Sequence, residues 1–417
     1  SVVFGRETNM RTLKKVTVNK KAENAVRNGH PWVYGEEITH TDGNIAGGEI
    51  VDVFSSKNRY LGSGFYNPAS KITVRIISTN ANDKFDAEFF KRRFKYAVDY
   101  RKTCLGGNID CCRLVFGDSD FFPGLIVDKF GSCLVTQIMS LGIEIRKDIL
   151  FPALIDLLRA DGEKIDVLYE RNDAAVRTKE GLELYKGYYS YDGLLSEKER
   201  GSSETEITEN GIKYIIDYIK GQKTGFFLDQ RFNRICAASV AEGKTVLDCF
   251  THTGAFAFNC AKGGAKHVTA VDISQEAINE SKRNCELNGI KNVDFLCEDV
   301  FELLTRLYNK NDKTYDYIIL DPPAFTKSRS TVTAAYNGYK EINLKAMRLL
   351  PRGGWLATCS CSHFMTDSLF RKMLLDAAHD AKVSVRIAEY RQQACDHPVL
   401  LSVPETQYLK FYLVQIV

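Results

Sequence analysis

The sequence lacks three features that would assign it to familiar protein classes. No run of apolar residues approaches the length of a membrane span. The first residues, Ser-Val-Val-Phe-Gly-Arg-Glu, lack the basic and then apolar pattern of a signal peptide. No Cys-x-x-Cys pair occurs among the twelve cysteines, which are spread along the chain. We therefore expect a cytoplasmic protein with reduced thiols, no membrane partner and no metal site.

A strong net charge is also missing. The formal charge is +3 at pH 7, so any surface that binds nucleic acid must come from local clusters of basic residues. The 417 residues, 44% of them hydrophobic, are enough for two or three domains with sizeable cores. Residues 1–9, which precede Met10, are either a leader or an expression remnant, and the sequence leaves this open.

Residues 245–272 are the stretch around which the rest of the chain is organised. An aliphatic run ends in the polar turn 251–254, small residues suited to a helix follow, and a second run ends at Asp272. A dinucleotide site needs several spaced glycines, whereas this turn offers only Gly254. S-adenosylmethionine has no phosphate, so one glycine and a carboxylate for the ribose hydroxyls suffice. The alternative is an ordinary βαβ unit.

Strands and helices alternate from Lys244 onward, which predicts a mostly parallel sheet with both faces covered. Polar or reactive residues follow several of these strands, at the edge where such sheets bind ligands: Asp272, Asp299, Asp321 and the pair Cys359 and Cys361. A single acidic residue at a strand end is more often a helix cap. Four such ends in one sheet favour a ligand site, in which Asp299 would accept the adenine amino group.

The first part of the chain, residues 10–80, reads as short strands broken by glycine, with a basic edge and an aromatic residue. Isolated lysines usually form a solvated face. However, Gly29-His-Pro-Trp-Val33 and the later glycine-rich strands resemble a PUA domain, an RNA-binding module. The resemblance implies that RNA binds here, with Lys20, Lys21, Arg27 and Trp32 as contact residues.

The middle of the chain reads as a central α+β accessory domain, residues 84–188, with no catalytic constellation. Its first helix has an apolar stripe and basic residues on its other faces, among them Lys91, Arg92, Arg93 and Arg101. A helix at 143–158 is predicted further on. A polar linker, 189–204, leads to a β-hairpin at 205–220 that turns at Asn210-Gly211, and residues 205–417 form the last domain.

Three motifs extend this interpretation. The stretches 248–254 (Asp-Cys-Phe-Thr-His-Thr-Gly), 321–325 (Asp-Pro-Pro-Ala-Phe) and 354–362 (Gly-Trp-Leu-Ala-Thr-Cys-Ser-Cys-Ser) resemble class I S-adenosylmethionine-dependent methyltransferases. From Met10 on, the chain resembles the bacterial large-subunit ribosomal RNA cytosine-C5 methyltransferase family. The resemblance implies a Rossmann-like catalytic domain, a ribosomal RNA substrate and Cys361 as the nucleophile. Predicted cofactor contacts are Gln230, Asp248, Phe250, Thr253, Gly254, Asp272, Ile273, Asp299, Asp321 and Pro322. Lys91, Arg92, Arg93 and Lys327 join the predicted RNA contacts.

The chemistry of cytosine C5 explains why a thiol is required. C5 is too weak a nucleophile to be methylated directly, but addition of a thiolate at C6 makes it reactive, and a base must then remove the C5 proton. Asp321 is the candidate both for binding the edge of the cytosine and for accepting this proton, and Cys359 would face the same side of its strand as Cys361. Related enzymes carry a second cysteine after the proline of the Asp-Pro motif, where this chain has Pro323 and Ala324. Release would therefore use Cys359 or Asp321.

Two other functions remain open. The Asp321-Pro-Pro-Ala-Phe325 loop also suits a base N-methyltransferase, which needs no thiol, and both cysteines would then be small buried residues. Alternatively, the chain is a non-catalytic RNA-binding assembly factor. The sequence also leaves open the target nucleotide, naked RNA or a ribosomal particle as substrate, which of the two cysteines attacks, and the oligomeric state, a homodimer included.

Overall fold

Residues 12–326 and 328–417 are described by the computed structural model, and they form two compact units. The first unit runs to Thr205 and includes Asp217–Phe226 and Pro398–Thr406. The second comprises Glu206–Ile216, Phe227–His397 and Gln407–Val417. Residues 1–9, Met10 and Lys327 lie outside the described residues. The boundaries 10–80, 84–188, 189–204 and 205–417 stay predictions.

The first sheet of the first unit has the strand order β2-β6-β5-β4-β1-β3. Its strands are β1 (Lys15–Val18), β2 (Trp32–Tyr34), β3 (Ile38–Thr41), β4 (Ile50–Ser55), β5 (Tyr60–Tyr66) and β6 (Ile72–Ser78). The prediction of strands alone was wrong for α1 (Lys20–Arg27). Asn19 caps this helix by accepting a hydrogen bond from the backbone N–H of Ala22. Ala22 and Val26, four residues apart, bury its apolar face.

The second sheet has the order β11-β10-β9-β8-β7 and packs with helices in the same unit. Its elements are α2 (Ala87–Cys104), β7 (Cys111–Phe116), β8 (Leu125–Phe130), β9 (Cys133–Ile138), α3 (Leu141–Glu144), α4 (Lys147–Ala160), β10 (Val167–Asn172), β11 (Tyr185–Tyr188) and α5 (Glu197–Arg200). The single helix predicted at 143–158 is in fact two helices. Arg146, between them, leaves helical geometry, and its guanidinium donates to the carbonyls of Gly48 and Gly142.

The expected basic surface of α2 is smaller than predicted. Arg101 is fully buried, and its guanidinium makes two hydrogen bonds, of 2.6 and 2.7 Å, to the Asp120 carboxylate. Arg93 is half-buried and donates to the carbonyl of Ile77 over 2.9 Å. The methylene groups of both arginines pack inward, and their guanidinium groups find hydrogen-bond partners. The spacing of apolar residues along a helix does not predict such burial of an arginine.

The hairpin turns where the sequence predicted. Strands β12 (Glu204–Glu209) and β13 (Ile212–Asp217) are joined by Asn210 and Gly211, which both have positive φ values, 54° and 72°. A two-residue turn with both φ values positive matches the right-handed twist of the flanking strands, and Asn-Gly is the pair that adopts it most easily.

The second unit contains a seven-stranded sheet with the order β16-β15-β14-β17-β18-β20-β19. Its elements are α6 (Arg231–Ala238), β14 (Thr245–Cys249), α7 (Ala255–Lys262), β15 (His267–Asp272), α8 (Gln275–Leu287), β16 (Val293–Cys297), α9 (Val300–Lys310), β17 (Tyr317–Leu320), α10 (Val332–Leu349), β18 (Trp355–Ser360), α11 (Asp367–Ala381), β19 (Val385–Arg391) and β20 (Lys410–Ile416). Strands β14 to β18 pair in parallel, and β20 is antiparallel to both of its neighbours. The predicted alternation is confirmed.

The topology of this sheet places its ligand edge beside β14. The chain moves from β14 outward through β15 and β16, and then returns to β17 on the other side of β14. In open α/β sheets, ligands bind at the carboxyl ends of the strands where the order reverses in this way. Strands β14 and β17 are buried along most of their length, so this edge rests on a rigid core.

Three general observations complete the fold. The twelve cysteines all lie in the described residues, and no two of them are joined by a disulfide. Among residues 12–326 and 328–417, no group of three or more His, Cys, Asp or Glu side chains is arranged to hold a metal ion. Nor is any helix in this part of the chain both long and apolar enough to cross a membrane.

Candidate active site

The turn after β14 is the most tightly folded part of the site. Phe250, His252 and Gly254 all have positive φ values, of 63°, 50° and 82°. A Cβ atom at Gly254 would lie 2.3 Å from the ring of Phe258 on α7, so only glycine fits there. Glycine at this position therefore lets the Phe258 ring pack directly against the backbone at the start of α7.

Asp248 lies beneath this turn and is fully buried. Its Oδ2 accepts hydrogen bonds from the Thr251 hydroxyl over 2.6 Å and from the backbone N–H of Ala257 over 3.0 Å. Its Oδ1 has no hydrogen-bond partner within the described part of the chain. Burial raises the pKa of Asp248 to about 7. The side chain thus holds the turn in place from below.

Asp272 ends β15, the neighbouring strand, and is half-buried. Its Oδ2 accepts from the backbone N–H of His252, and its Oδ1 accepts from that of Ser274, both over 2.9 Å. A carboxylate has about four acceptor positions, so two remain for hydroxyl groups of a ligand. The next side chain, Ile273, is 67% exposed and offers an apolar surface for a flat ring.

The remaining residues predicted to contact the cofactor have varied surroundings. Asp299 caps α9, because its Oδ1 accepts from the backbone N–H of Glu302 over 3.1 Å. Thr253 is 5% exposed, and Phe250 packs against the core of the unit. Pro322 is buried directly after β17. This capping role alone accounts for an acidic residue at position 299, and capping is a common role for acidic residues that follow a strand and precede a helix.

Asp321 ends β17 and lies in a polar network. Gln230 donates a hydrogen bond from Nε2 to Asp321 Oδ1 over 3.0 Å. The side-chain oxygen of Gln230, Oε1, accepts a hydrogen bond from Asn233 Nδ2 over 2.7 Å. Burial disfavours the ionised form of Asp321, and the negative charge of the nearby Asp229 disfavours it further. The pKa of Asp321 is therefore raised to about 7. A carboxyl group with such a pKa can accept and release a proton near neutral pH.

Cys359 and Cys361 differ sharply in their surroundings. Cys359 is fully buried on β18 and contacts Asp321 and Gln230, and burial raises the pKa of its thiol well above the ordinary value. Cys361 follows the strand and is half-buried, between Ser360 and Ser362. Both serine hydroxyls hydrogen-bond to the Tyr339 hydroxyl, over 3.1 and 2.9 Å, which fixes the backbone around Cys361.

Lys410 is a residue of this site that the sequence did not indicate. It lies opposite Ser360 across the β18–β20 pair and is 3% exposed. Its ammonium donates to the carbonyls of Ser362 and Tyr408, each over 2.7 Å. Burial lowers its pKa to about 8, while the negative charge of a Cys361 thiolate acts in the opposite direction. The only signal in the sequence was one lysine at the start of an otherwise apolar strand.

The residues predicted to contact RNA belong to the first unit, apart from Lys327, which lies outside the described residues. Lys20, Lys21 and Arg27 are exposed on α1, where ion pairs to Glu23 and Glu37 hold them. Trp32 is half-buried with its ring 5.2 Å from that of His30. Lys91 and Arg92 are exposed on α2, whereas Arg93 is not. The exposed basic residues thus form two groups, one on each helix.

Comparison with protein families finds two matches along the chain. Residues 16–79 match a PUA-like domain, and residues 189–401 match the S-adenosylmethionine-dependent methyltransferases. These matches agree with the predicted β-rich first region and with the predicted Rossmann-like catalytic domain.

Individual relatives cover almost the whole chain. A ribosomal RNA large subunit methyltransferase I from Cronobacter sakazakii is 39% identical over 95% of this chain and 98% of its own length. The protein of that name from Escherichia coli O139:H28 is 38% identical over the same shares. Among solved structures, an S-adenosylmethionine-dependent methyltransferase from Streptococcus mutans has the same fold, with a TM-score of 0.79, 24% identity, and coverage of 96% of this chain and 99% of that one.

Proposed function

This chain belongs to the ribosomal RNA large subunit methyltransferase I family and to the S-adenosylmethionine-dependent methyltransferases, and we propose that it methylates C5 of a cytosine in large-subunit ribosomal RNA. One observation carries the proposal. The sheet edge that follows β17 and β18 combines a half-buried thiol, Cys361, with a carboxyl group, Asp321, whose pKa is about 7. Those are the two groups that C5 methylation requires.

The residues around β14 fit S-adenosylmethionine. Asp248, buried beneath the turn that would hold the cofactor, fixes this turn through its hydrogen bonds from Thr251 and Ala257. The cofactor's ribose hydroxyls suit the two acceptor positions that remain on Asp272. Gly254 lies in the turn between β14 and α7, at the strand end where sheets of this kind bind their ligands. When bound, the cofactor supplies a methyl group that is electrophilic because it is attached to a sulfonium sulfur.

The proposed roles of the protein side chains follow from the electron demand of the base. The Cys361 thiolate forms a bond to C6 of cytosine and moves electron density to C5, which can then take the methyl group. Asp321 next accepts the proton from C5. The bond between Cys361 and C6 then breaks, the C5–C6 double bond is restored, and the thiolate is free again.

The surroundings of the two thiols favour Cys361 over Cys359 as the nucleophile. A nucleophile must reach the substrate and be present as a thiolate. Cys359 is fully buried and its pKa is raised well above the ordinary value, so it stays a thiol. Cys361 is accessible, and the ammonium of Lys410 is close enough to interact with its charge. Lys410 also holds the carbonyl of the next residue, Ser362, and so orients the loop that carries the thiol.

The proton acceptor is proposed to be Asp321 because no second thiol follows its proline. Pro323 and Ala324 occupy those positions. Gln230 fixes one carboxylate oxygen, and the other can point toward the base. Below pH 7 this group is mostly protonated and cannot accept the C5 proton.

The test is methylation of an unmodified large-subunit ribosomal RNA transcript by the purified full-length protein, followed by mass spectrometry of the digested nucleosides. We expect 5-methylcytidine, and none with Cys361→Ala. A methyl group on a base nitrogen, with turnover that survives Cys361→Ala, would instead identify a base N-methyltransferase that uses the Asp321 loop. No transfer to RNA or ribosomal particles, with no binding of S-adenosylmethionine by calorimetry, would leave an RNA-binding assembly factor.

A further inference from the structure

A small aromatic pocket in the first unit has no role in the chemistry described above. Its volume is about 240 Å³, and it lies between α2 and the turn after β7. Arg93, Tyr96 and Tyr100 line it from the helix, Ser119 and Phe121 from the turn, and Pro398 closes one side. The volume is enough for one flat heteroaromatic ring between the aromatic side chains.

The aromatic side chains of this pocket are unusually exposed. Tyr96 is 61% exposed, and Tyr100 and Phe121 are each 42% exposed. Phe121 also has a φ of 60°, a left-handed conformation that is unfavourable for a bulky residue. Hydrogen bonds from its own N–H to Asp118 and from that of Phe122 to Gly117 hold this conformation. Phe121 is therefore exposed to solvent in an unfavourable backbone conformation. Exposed aromatic residues and unfavourable backbone conformations are both common at binding sites.

The polar groups around the pocket favour a ligand with negative charge and hydrogen-bonding edges. The Arg93 guanidinium lies 4.9 Å from the centre of the Phe121 ring. The Asp120 carboxylate is neutralised by its two hydrogen bonds to Arg101. The hydroxyl of Ser119 is buried and has no partner in the described part of the chain. It can therefore bond to the edge of a ring that enters the pocket.

The helix that forms one wall carries further basic side chains on its surface, of which Arg92 also pairs with Asp83 and Lys95 with Asp99. Lys91, Arg92 and Lys95 are exposed on α2, within the two turns that precede Tyr96. Aromatic side chains next to a basic track are the arrangement by which proteins bind single-stranded nucleic acid, since bases stack on the rings and phosphates lie along the charges.

We propose that this pocket binds one unpaired nucleobase of the RNA substrate, stacked on Tyr96 and Phe121, while the phosphates on either side follow the basic residues of α2. The inference rests on the proposed function only in taking RNA as the substrate. The pocket belongs to the first unit, whereas Asp321 and Cys361 belong to the second. It would therefore contribute to the affinity for RNA and not to methyl transfer itself.

The test measures binding of a single-stranded oligoribonucleotide of mixed sequence, about twelve nucleotides long, to the full-length protein. The double variant Tyr96→Ala/Phe121→Ala should bind at least about fivefold more weakly, because the loss of stacking for one base costs about that much or more. Tyr96→Phe keeps the ring and should bind like the wild type. Leu184→Ala, which truncates a 49% exposed side chain elsewhere in the first unit, is the matched control and should also bind normally.

Ultraviolet cross-linking of the same oligoribonucleotide, followed by mass spectrometry, locates the contact. Cross-links to Tyr96, Tyr100 or Phe121 support the proposal. Unchanged affinity of the double variant, or cross-links confined to other residues, would overturn it and leave the pocket to a protein partner. Because all the replaced side chains are exposed, the melting temperature and the affinity for S-adenosylmethionine should stay at their wild-type values.

The outcome can be separated from that of the proposed function. If the wild type forms 5-methylcytidine but the double variant binds RNA normally, the pocket proposal fails alone. If the wild type binds RNA through the pocket but forms no 5-methylcytidine, the proposed reaction fails and the pocket proposal stands.

Discussion

Gln230 and Asp321 are 91 positions apart in the sequence and are joined by a hydrogen bond of 3.0 Å from Nε2 to Oδ1. The bond connects the segment before α6 with the end of β17. It stabilises the ionised form of Asp321 and so opposes the burial and the Asp229 charge that raise the pKa of this carboxyl to about 7. Gln230 is therefore a positioning residue for the proposed proton acceptor.

The pH dependence of turnover should reveal this relationship. Since Asp321 must be ionised to accept a proton, kcat should fall as the pH drops below about 7. Gln230→Leu removes the hydrogen bond, so the pKa of Asp321 rises and the decline should begin at a higher pH. Asp321→Asn should lower kcat by roughly 10²- to 10⁴-fold and abolish this part of the profile. A profile that Gln230→Leu leaves unmoved would contradict the role given to Gln230.

Replacement of Cys361 should separate catalysis from cofactor binding. Cys361→Ala should lower methyl transfer by a factor on the order of 10⁴ or more, since Cys359, the other thiol next to Asp321, is fully buried. Calorimetry should show wild-type affinity for S-adenosylmethionine, because the proposed cofactor contacts lie around β14 and β15. Cys104→Ala, which removes a half-buried thiol in the first unit, is the control and should be fully active. Turnover that survives in Cys361→Ala would exclude it as the nucleophile.

Lys410 should raise the reactivity of the Cys361 thiol. Its ammonium form predominates below its pKa of about 8, so near pH 7 it favours the thiolate. Lys410→Met should slow alkylation of Cys361 by iodoacetamide at pH 7, about tenfold for each unit by which the thiol pKa rises. The matched control is Lys372→Met, an exposed lysine paired with Asp376 on α11. Equal alkylation rates in both variants and the wild type would show that Lys410 only supports the loop.

Gly254→Ala should weaken cofactor binding and stability together. The new Cβ would meet the Phe258 ring at 2.3 Å, and φ is 82°, so we expect a loss of roughly 2–4 kcal/mol in unfolding free energy. Affinity for S-adenosylmethionine should fall at least about tenfold, measured by calorimetry. Gly289→Ala is the matched control, because that glycine also has a positive φ, 62°, but faces open space. If both variants behave alike, the close approach at Gly254 has no part in binding.

The sequence predicted the second unit well because its periodicity is regular. Buried strands such as β14 are short apolar runs, and the amphipathic helices between them begin at recognisable caps, as α9 does at Asp299. The connections between these elements are short, so the strands are expected to lie parallel in one sheet. Asp272, Asp321 and Cys361, which lie at the carboxyl ends of such strands, are then expected at the same edge.

What the sequence missed depends on contacts between distant residues. α1 was overlooked because its charged residues outnumber its apolar ones, and its stability comes from the Asn19 cap and two buried apolar side chains. Arg101 reads as a surface cation, yet Asp120 pairs with it inside the protein. The pKa values of Asp321 and Lys410 depend on burial and on neighbours such as Asp229, which no local pattern contains.

Trapping the covalent bond between protein and RNA is the most direct test of the proposed mechanism. In RNA that contains 5-fluorocytidine, C5 carries no proton for Asp321 to remove, so the bond between Cys361 and C6 cannot break after methylation. We predict a complex that survives denaturation, requires S-adenosylmethionine, and carries the nucleotide on Cys361 when digested peptides are analysed by mass spectrometry. Attachment to a different residue, or full methylation of ordinary RNA with no trapped complex, would contradict the mechanism.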